Sequence, residues 1–482
     1  MRVHTPRSIC DFGIAKTTIT PPIGIYHRMW GAASHDQSEG VHRDLTATAL
    51  VFRESEQGNS ASTLQIVIAI DHCLFAAPEV ENIINKAAHD NGVPVESIAV
   101  TFSHTHAAGL LNLDRVDLPG GEFIADYLDG LNSTVSQLVA DAIRSIKPVA
   151  IEYAYGRCSL AAHRDLFDEQ NKLWVCGYNP EGTSDETVLV ARISDNQNQI
   201  IATCVNYACH PTTLAWDNRM ISPDYPGAMC EVVENATNAP CVFLLGASGD
   251  LGPVRGFVGD TEIADRNGRQ LGYAAVSALE SLPPPRTVFE YDRPVVSGAT
   301  IGVWRDVEIG DDQFAAAKQW SVDRETISLD YRDDMPKLAD AEAELSRLEA
   351  EENAARTSGD HAKASDLRAL AERQKRMIGR LRCLPAGGSY PFDVVLWRVG
   401  DAIWTAIPGE PYNLLQRELR ARFPNTPIIN TTIKNGWGPS YLPTAGSYEK
   451  NIYQESIAVL RQGSLETLIE QLTSKIERLG VS

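Results

Sequence analysis

The sequence has no hydrophobic run long enough to cross a membrane. A spanning helix needs about 18 or more apolar residues, and the longest apolar stretches here, such as residues 64–70, are much shorter. The first residues of the chain also lack the apolar core that a signal peptide requires. We therefore expect a protein without a transmembrane segment that is located in the cytoplasm.

The sequence also lacks a pattern of paired cysteines. The nine cysteines are an odd number, and none of them forms a Cys-x-x-Cys pair. Several lie within apolar runs typical of strands, where a free thiol behaves as a small hydrophobic group. This pattern predicts reduced core residues and argues against a disulfide framework or a thiolate metal site.

Basic residues are fewer than acidic residues. The chain has 43 Lys and Arg residues against 63 Asp and Glu residues, which gives a formal net charge of −20. No local cluster of basic residues offsets this balance, so the sequence argues against nucleic acid as a partner. The proportions of hydrophobic residues (43%) and charged residues (22%) are those of an ordinary globular protein.

Short β-branched runs alternate with amphipathic stretches through the first three hundred residues. This alternation predicts an α/β fold, a mixed sheet flanked by helices. The predicted helices are 78–91, 123–146 and 226–236, and the predicted strands are 64–71, 97–103, 150–155, 187–193, 200–208 and 241–246.

A different pattern occupies residues 309–385, which are rich in Ala, Glu, Arg, Lys and Leu. The break at 357–360 predicts an antiparallel helical hairpin inserted into the α/β domain, which would comprise residues 1–308 and 386–482. Two interpretations of the insertion stay open. It is either a structural element through which the chain forms a homo-oligomer, or a lid over a binding site.

Polar side chains follow four of the apolar runs. They are His104 and His106, then His210, then Asp250, then Glu410. Ligand sites of open α/β sheets form at such strand ends. Two histidines and one carboxylate are a common ligand set for catalytic Zn²⁺, which lowers the pKa of a bound water to about 7.

These motifs, with their order and spacing, resemble the neutral (non-lysosomal) ceramidases. The resemblance rests on the run from Gly13 to Pro22, Gly40-Val41-His42, Ser103-His104-Thr105-His106, His210-Pro211, Ser222-Pro223-Asp224, Gly249-Asp250, Pro408-Gly409-Glu410, and Asn435 with Tyr441 and Tyr448-Glu449. It covers most of the chain outside the predicted hairpin.

The resemblance implies a zinc-dependent hydrolase that cleaves the N-acyl (amide) bond of a sphingolipid. It implies His104, His210, Glu410 and Tyr441 as metal ligands, and it places His106 against the substrate. A tyrosine ligand is chemically reasonable because a bound dication favours the phenolate.

Further roles are predicted around this centre. His106 or Asp224 would carry the proton to the leaving amine. Arg164 and Tyr448 are predicted to contact a small-molecule or N-acyl substrate, and a structural ion pair is the alternative role for Arg164.

One position departs from the family pattern. Gly252 stands where the family has its proposed catalytic serine, and Ser248 is the nearest hydroxyl. We therefore expect metal-activated water, rather than a serine, to be the nucleophile. Two alternatives remain open: a non-catalytic metal-binding scaffold of the same fold, or an esterase or lactonase that acts on a small soluble substrate.

Overall fold

The computed structural model describes residues 1–55 and 64–480. Its helices are α1 (Ala77–Asn91), α2 (Ile124–Arg144), α3 (Tyr225–Thr237), α4 (Thr261–Glu280), α5 (Asp311–Ala317), α6 (Leu338–Thr357), α7 (His361–Cys383), α8 (Leu414–Arg422), α9 (Tyr453–Ile457) and α10 (Ser464–Arg478). Its strands are β1 (Arg2–Val3), β2 (Arg7–Thr18), β3 (Gly40–Val41), β4 (Thr46–Arg53), β5 (Gln65–Ile70), β6 (Ile98–Phe102), β7 (Lys147–Arg157), β8 (Ala161–His163), β9 (Asp165–Asp168), β10 (Leu173–Cys176), β11 (Thr187–Asp195), β12 (Ile200–Tyr207), β13 (Met220–Ile221), β14 (Cys241–Leu245), β15 (Leu251–Pro253), β16 (Thr287–Ser297), β17 (Ala299–Glu308), β18 (Trp320–Asp330), β19 (Ser389–Val399), β20 (Ala402–Ala406), β21 (Glu410–Pro411), β22 (Ile428–Thr431) and β23 (Tyr441–Leu442).

Eight strands form one mixed sheet in the order β14-β12-β11-β7-β2-β4-β5-β6. The outer pairs β12 with β14 and β5 with β6 are parallel, and the strands between them are antiparallel. A second mixed sheet has the order β18-β19-β20-β22. The predicted α/β fold with a mixed sheet flanked by helices is confirmed, and the second sheet is an addition to it.

The two sheets pack face to face. Phe12 and Phe52 of the large sheet meet Trp397 and Trp404 of the small sheet in a buried aromatic layer. The other face of the large sheet is covered by α1 to α4, and the other face of the small sheet by α8 and α10. The result is a four-layer arrangement of helices, sheet, sheet and helices, in which each apolar face is buried against its neighbour.

Helix α2 approaches the large sheet closely because of Gly13. A Cβ atom at this position would lie 2.0 Å from the carbonyl oxygen of Ala142, so only glycine leaves room for the helix. Ser145 then bonds to the backbone of Ile14 in both directions, at 2.9 and 3.0 Å. The glycine that opens the first motif therefore sets the distance between helix and strand.

The large sheet curls so that its edge strands β6 and β14 contact each other. The segment after β22 lies along both of these edges. Thr432 donates its backbone N–H to Leu245 of β14 (3.0 Å), and Asn435 donates its own to Val100 of β6 (2.8 Å). The Asn435 side chain also accepts the Val100 N–H at 3.0 Å. Strand ends from opposite margins of the sheet consequently meet beside the end of β20.

The helical hairpin is narrower than the predicted insertion at 309–385. It consists of α6 and α7, because β18 pairs with β19 along its whole length, from Trp320 opposite Val399 to Asp330 opposite Ser389. The break at 357–360 is the turn, where Gly359 has a φ of +79° and Asp360 accepts the backbone N–H of Lys363 at 3.1 Å. The predicted boundary lies too early because strand β18 precedes the hairpin.

The aromatic layer between the sheets generates a prediction about stability. Trp404 is 1% exposed, and its indole N–H donates to the Tyr153 hydroxyl at 3.2 Å. We expect Trp404→Ala to lower the free energy of unfolding by about 3–5 kcal/mol, the usual cost of removing a buried tryptophan.

Trp304→Ala is the matched control, since Trp304 lies on the β16–β17 ribbon and stacks on partly exposed Phe289. Its loss should be about 1 kcal/mol. Urea unfolding followed by tryptophan fluorescence and circular dichroism measures both variants. Equal losses would contradict a core that depends on the contact between the two sheets.

Candidate metal centre

Two side chains that follow β6 and β12 and two from the short strands β21 and β23 converge on a single point. The Glu410 Oε2 atom lies 3.0 Å from His210 Nε2 and 3.4 Å from His104 Nε2. The Tyr441 hydroxyl lies 3.4 Å from His210 Nε2. Glu410 and Tyr441 are directly opposite each other in the parallel pair β21–β23. The structure therefore brings together all four of the predicted metal ligands.

The His104-x-His106 pair reaches this point by a turn rather than by strand alternation. Strand β6 ends at Phe102, and His104 has a φ of +66°, in the left-handed region. The two imidazoles lie nearly perpendicular, at 89°, and their Nε2 atoms are 3.4 Å apart. The two rings therefore meet through this turn and not through the alternation of side chains along a strand.

Backbone carbonyls hold both ligand histidines in one orientation. His104 Nδ1 lies 2.7 Å from the carbonyl oxygen of Cys73, and His210 Nδ1 lies 2.6 Å from that of Ser248. A carbonyl can only accept, so Nδ1 carries the proton in each ring. In the neutral rings, both Nε2 lone pairs therefore point at the carboxylate of Glu410.

This arrangement fits a divalent cation. Two nitrogen lone pairs that face a carboxylate repel each other unless a cation or a proton lies between them. Nitrogen and oxygen ligands of this kind are typical of Zn²⁺, with open positions left for water or substrate. One ligand atom from each of His104, His210 and Glu410 lies within 4.8 Å of the other two.

In the metal-free cluster, burial would lower the pKa of His104, but Cys73 and Glu410 outweigh it and raise the pKa well above its usual value, so a proton lies where a cation would bind. Burial, together with the Arg164 charge, lowers the pKa of His210 to about 3, so this imidazole is neutral at physiological pH. Burial would raise the pKa of Glu410, but His104 and His210 outweigh it and hold the pKa well below its usual range. A neutral imidazole and an ionised carboxylate are the forms that bind a metal.

A second group, Cys73 with His104 and His106, also has close ligand atoms. Its Cys73 Sγ atom lies 3.5 Å from His104 Nδ1. That nitrogen already donates its proton to the Cys73 carbonyl, so its lone pair is not available there. The group around Glu410 is therefore the better metal site.

Arg164 lies against Tyr441, with its guanidinium carbon 5.3 Å from the centre of the phenol ring. Its Nη2 atom donates to the Gly249 carbonyl at 2.6 Å. Burial raises the pKa of Tyr441, and Arg164 partly opposes that effect. The neighbouring cation thus favours the phenolate that a metal ligand would require.

His106 faces the cavity beside the cluster. Its ring contacts Trp30, with centroids 5.2 Å apart. Burial and the neighbouring His104 and His210 hold the pKa of His106 well below its usual value, so the ring is neutral. It therefore can accept a proton in the cavity.

The structure does not bring Asp224 to the cluster. Its carboxylate is fully buried and accepts the backbone N–H groups of Leu214 (2.8 Å) and Tyr225 (2.6 Å). Burial raises its pKa to about 6. With a φ of +58° and a ψ of −152°, the residue occupies a region that favours glycine. These contacts are those of a residue that positions the loop after His210 and caps α3.

Tyr448 is also directed away from the cluster. Its hydroxyl donates to the Leu460 carbonyl at 2.9 Å, and the Arg332 guanidinium lies 5.6 Å from its ring centre. It does not line either of the cavities described below. Its contacts stabilise the C-terminal part of the fold.

Two cavities open beside the cluster. The smaller, of about 60 Å³, is lined by His104, Glu410 and Tyr441. The larger, of about 410 Å³, is lined by Arg164 and Trp30 and has the size of a small-molecule site. Both share His106 and Tyr441.

Helix α7 forms one wall of both cavities. Arg376 and Arg380 line each of them, and Met377 packs on Tyr441. The helix is fixed to the α/β domain by a buried ion pair between Glu372 and Arg115 (2.9 Å). Of the two interpretations of the insertion, the contacts of α7 favour a lid.

The residues that α7 contributes to the cavities were not among the predicted site residues. Positions 369, 373, 376 and 380 follow the three- and four-residue spacing of one helix face, which is a detectable pattern. The aromatic residues of the cavity, Trp30, Trp216 and Phe257, come from separate loops, and no spacing relates them.

The metal assignment can be tested by metal analysis. Zinc-loaded, dialysed protein should retain about one ion per chain, whereas His104→Ala and His210→Ala should each retain less than about one tenth of that amount. His89→Ala is the control, because this side chain is 89% exposed at the end of α1. Full retention by His210→Ala, or none by the wild-type protein, would contradict the site.

The role of Asp224 can be separated from catalysis. Asp224→Asn removes one of two acceptor oxygens that bind backbone N–H groups, so we expect a loss of about 1–3 kcal/mol in the free energy of unfolding. Metal content should stay at the wild-type level.

Asp260→Asn is the control, because exposed Asp260 caps α4 in the same way and asparagine is an equally good cap. Chemical denaturation measures both variants. A fully stable Asp224→Asn protein whose hydrolysis rate fell more than about 100-fold would instead place Asp224 in proton transfer.

Known proteins resemble this chain in structure but not detectably in sequence. A scan against protein-family models and a search of curated protein sequences each found no match. Among solved structures, a neutral ceramidase from Pseudomonas aeruginosa aligns with a TM-score of 0.65 and 14% identity, over 100% of this chain and 76% of that one. A ceramidase complexed with C2 aligns with a TM-score of 0.63 and 15% identity, over 99% of this chain and 76% of that one. None of the helices in the described parts of the chain is long and apolar enough to span a membrane. The expected resemblance is therefore confirmed at the level of architecture, and the chain has the fold of the neutral ceramidases.

Proposed function

We propose that this protein is a zinc-dependent hydrolase that cleaves the amide bond of an N-acyl substrate with water as the nucleophile. The observation that carries the proposal is the convergence of His104 Nε2, His210 Nε2 and the Glu410 carboxylate within 3.0–3.4 Å, beside a cavity. The fold shared with ceramidases supports an amide as the bond that is cleaved.

His104, His210, Glu410 and Tyr441 would hold the zinc ion. When bound, such an ion polarises a carbonyl group and lowers the pKa of a water to about 7. The carbonyls of Cys73 and Ser248 keep both imidazoles in the ligand tautomer.

His106 is the group that would move the proton. It lines both cavities, and within the described parts of the chain its ring forms no hydrogen bond to a backbone carbonyl, unlike the rings of the two ligand histidines. A neutral imidazole beside the reacting bond can accept a proton from water and then donate it to the leaving amine. Asp224, the alternative for this role, is fully engaged with backbone N–H groups.

The position of Gly252 supports water as the nucleophile. A Cβ atom there would face Thr212 Oγ1 at 3.6 Å and Arg164 Cδ at 3.9 Å, and both of these residues line the larger cavity. Glycine leaves this side of the cavity without the hydroxyl that a serine would place there. Ser248 contributes its carbonyl to His210, and its side chain lines neither of the two cavities.

Replacing His106 tests the proposed mechanism. For zinc-loaded His106→Ala acting on a panel of N-acyl amides, we expect kcat to fall by about 10²- to 10⁴-fold, the usual contribution of a general acid–base. The metal content, measured in parallel, should stay unchanged.

Ser248→Ala is the control, because it keeps the carbonyl that binds His210, and we expect it to keep the wild-type kcat. Rapid-quench measurements should show no burst of amine release, since no acyl-enzyme accumulates. A burst that disappears in Ser248→Ala would establish a serine nucleophile and overturn the mechanism. Full metal occupancy without turnover on any amide or ester would favour a scaffold.

A further inference from the structure

Helix α7 places a cluster of arginines around the cavity of an otherwise acidic protein. Arg373, Arg376 and Arg380 lie on one face of the helix, and Arg164 joins them from the opposite wall. Among the residues that line the larger cavity, the carboxylate is Glu372. It is already bound to Arg115 at 2.9 Å and to Arg376 at 3.0 Å.

Arg380 differs from the other arginines because it is buried without a carboxylate partner among the described residues. Arg380 is only 8% exposed to solvent, and its Nε atom has no hydrogen-bond partner in the parts of the chain that the structure describes. Its Nη1 atom reaches only the thioether sulfur of Met377, at 3.8 Å. The guanidinium carbon also lies 5.3 Å from the centre of the Trp437 ring.

A buried cation without an ion-pair partner is costly, because the attraction of the Glu410 carboxylate in the same cavity only partly offsets the desolvation of the charge. Arginine stays protonated in proteins, so Arg380 cannot avoid this cost by losing its proton. A planar guanidinium that lines a cavity is suited to bind an anionic oxygen group through two parallel hydrogen bonds.

The position of Arg380 shows where such an anion would lie. The smaller cavity is lined both by Arg376 and Arg380 and by the metal-site residues His104, Glu410 and Tyr441. An anion held there lies next to the atoms that would act on the amide. The charge and the cleaved bond must therefore be close neighbours in the substrate.

The larger cavity has an apolar wall that suits the acyl part. Trp30 packs edge-on against Trp216 and Phe257, with ring centroids 6.1 and 5.7 Å apart. Ile457 and Met29 complete this surface. Aromatic and aliphatic surface of this kind binds the hydrocarbon of a ligand.

We propose that the substrate is an amide with an anionic oxygen group directly beside the amide nitrogen, of which an N-acyl α-amino acid is the simplest example, and that Arg380, assisted by Arg376, binds this group. This inference rests on the proposed hydrolase function and specifies its substrate class. This substrate class distinguishes the protein from an enzyme that acts on neutral amides.

Substrate preference is the first test. Using the zinc-loaded protein, we expect kcat/KM for N-octanoylglycine to exceed that for the neutral N-octanoylglycinamide by about 10- to 100-fold, the usual value of a hydrogen bond to a charged group. N-octanoylaminomethylphosphonate distinguishes a carboxylate from a phosphate-like anion, and a preference for either anion over the neutral amide supports the inference. Equal or faster hydrolysis of N-octanoylglycinamide or N-octanoylsphingosine overturns it.

Variants of α7 provide the second test. In Arg380→Gln the ratio of kcat/KM for N-octanoylglycine to that for N-octanoylglycinamide should fall to near one, and Arg380→Lys should restore part of it. Arg382→Gln is the matched control on the same helix, because Arg382 is 61% exposed and pairs with Glu342 on the outer side. An unchanged ratio in folded Arg380→Gln overturns the inference. If this variant does not fold by circular dichroism, the wild-type substrate ratio decides.

Calorimetric titration of N-octanoylglycine separates the two proposals. If no amide is hydrolysed, but N-octanoylglycine binds the wild-type protein at least about tenfold more tightly than Arg380→Gln, the hydrolase function fails and the anion site stands. If neutral amides are hydrolysed as well as N-octanoylglycine, the function stands and the anion site fails. Absence of binding to the wild-type protein overturns the anion site as well.

Discussion

Two imidazole nitrogens, a carboxylate oxygen and a phenol oxygen face one another at a buried point, and the surrounding structure serves to keep them there. Such a set of lone pairs repels itself unless a cation balances it, so each ligand must be held by something else. For His104 and His210 this support is a backbone carbonyl on the Nδ1 side. For Glu410 and Tyr441 it is the direct pairing of β21 with β23. The contact between the edges of the curled sheet then brings these separate supports to one place.

The helical hairpin gives the site its positive charge. Helix α7 adds arginines to a protein whose net charge is −20, and it places three of them, Arg373, Arg376 and Arg380, around the cavity. The ion pair of Glu372 with Arg115 and the bond of Arg368 to Asp36 (2.6 Å) attach the helix to the α/β domain. In the proposed function, the ligand cluster would supply the chemistry, and the insertion would influence which substrates reach it.

Local patterns in the sequence were sufficient for many individual elements. Residues 64–71 and 97–103 predicted β5 and β6 closely, and Thr357–Asp360 marked the hairpin turn. The start of the insertion was wrong, because β18 is half exposed and its partner β19 lies on the far side of the hairpin. Local periodicity carries no information about such a distant pairing.

The candidate site, too, could be predicted only in part from the sequence. The strand-end positions of His104, His210 and Glu410 are visible in the sequence because an apolar run stops and a polar residue follows. Asp224 has the same appearance, yet its carboxylate is used by the backbone N–H groups of Leu214 and Tyr225. Residue type and spacing do not distinguish a carboxylate that is free to react from one that holds a loop.

Residue types and their local spacing in the sequence therefore determine which residues are able to bind a metal and where most strands and helices form. Three properties depended on contacts between distant segments: which lone pairs meet, which carboxylate is already occupied, and the burial of Arg380 without an ion-pair partner among the described residues. The physical reason is that burial and electrostatic pairing are properties of neighbours in space. The charge of −20 is a sum over the whole chain, whereas the cationic cavity exists only because folding gathers four arginines around it.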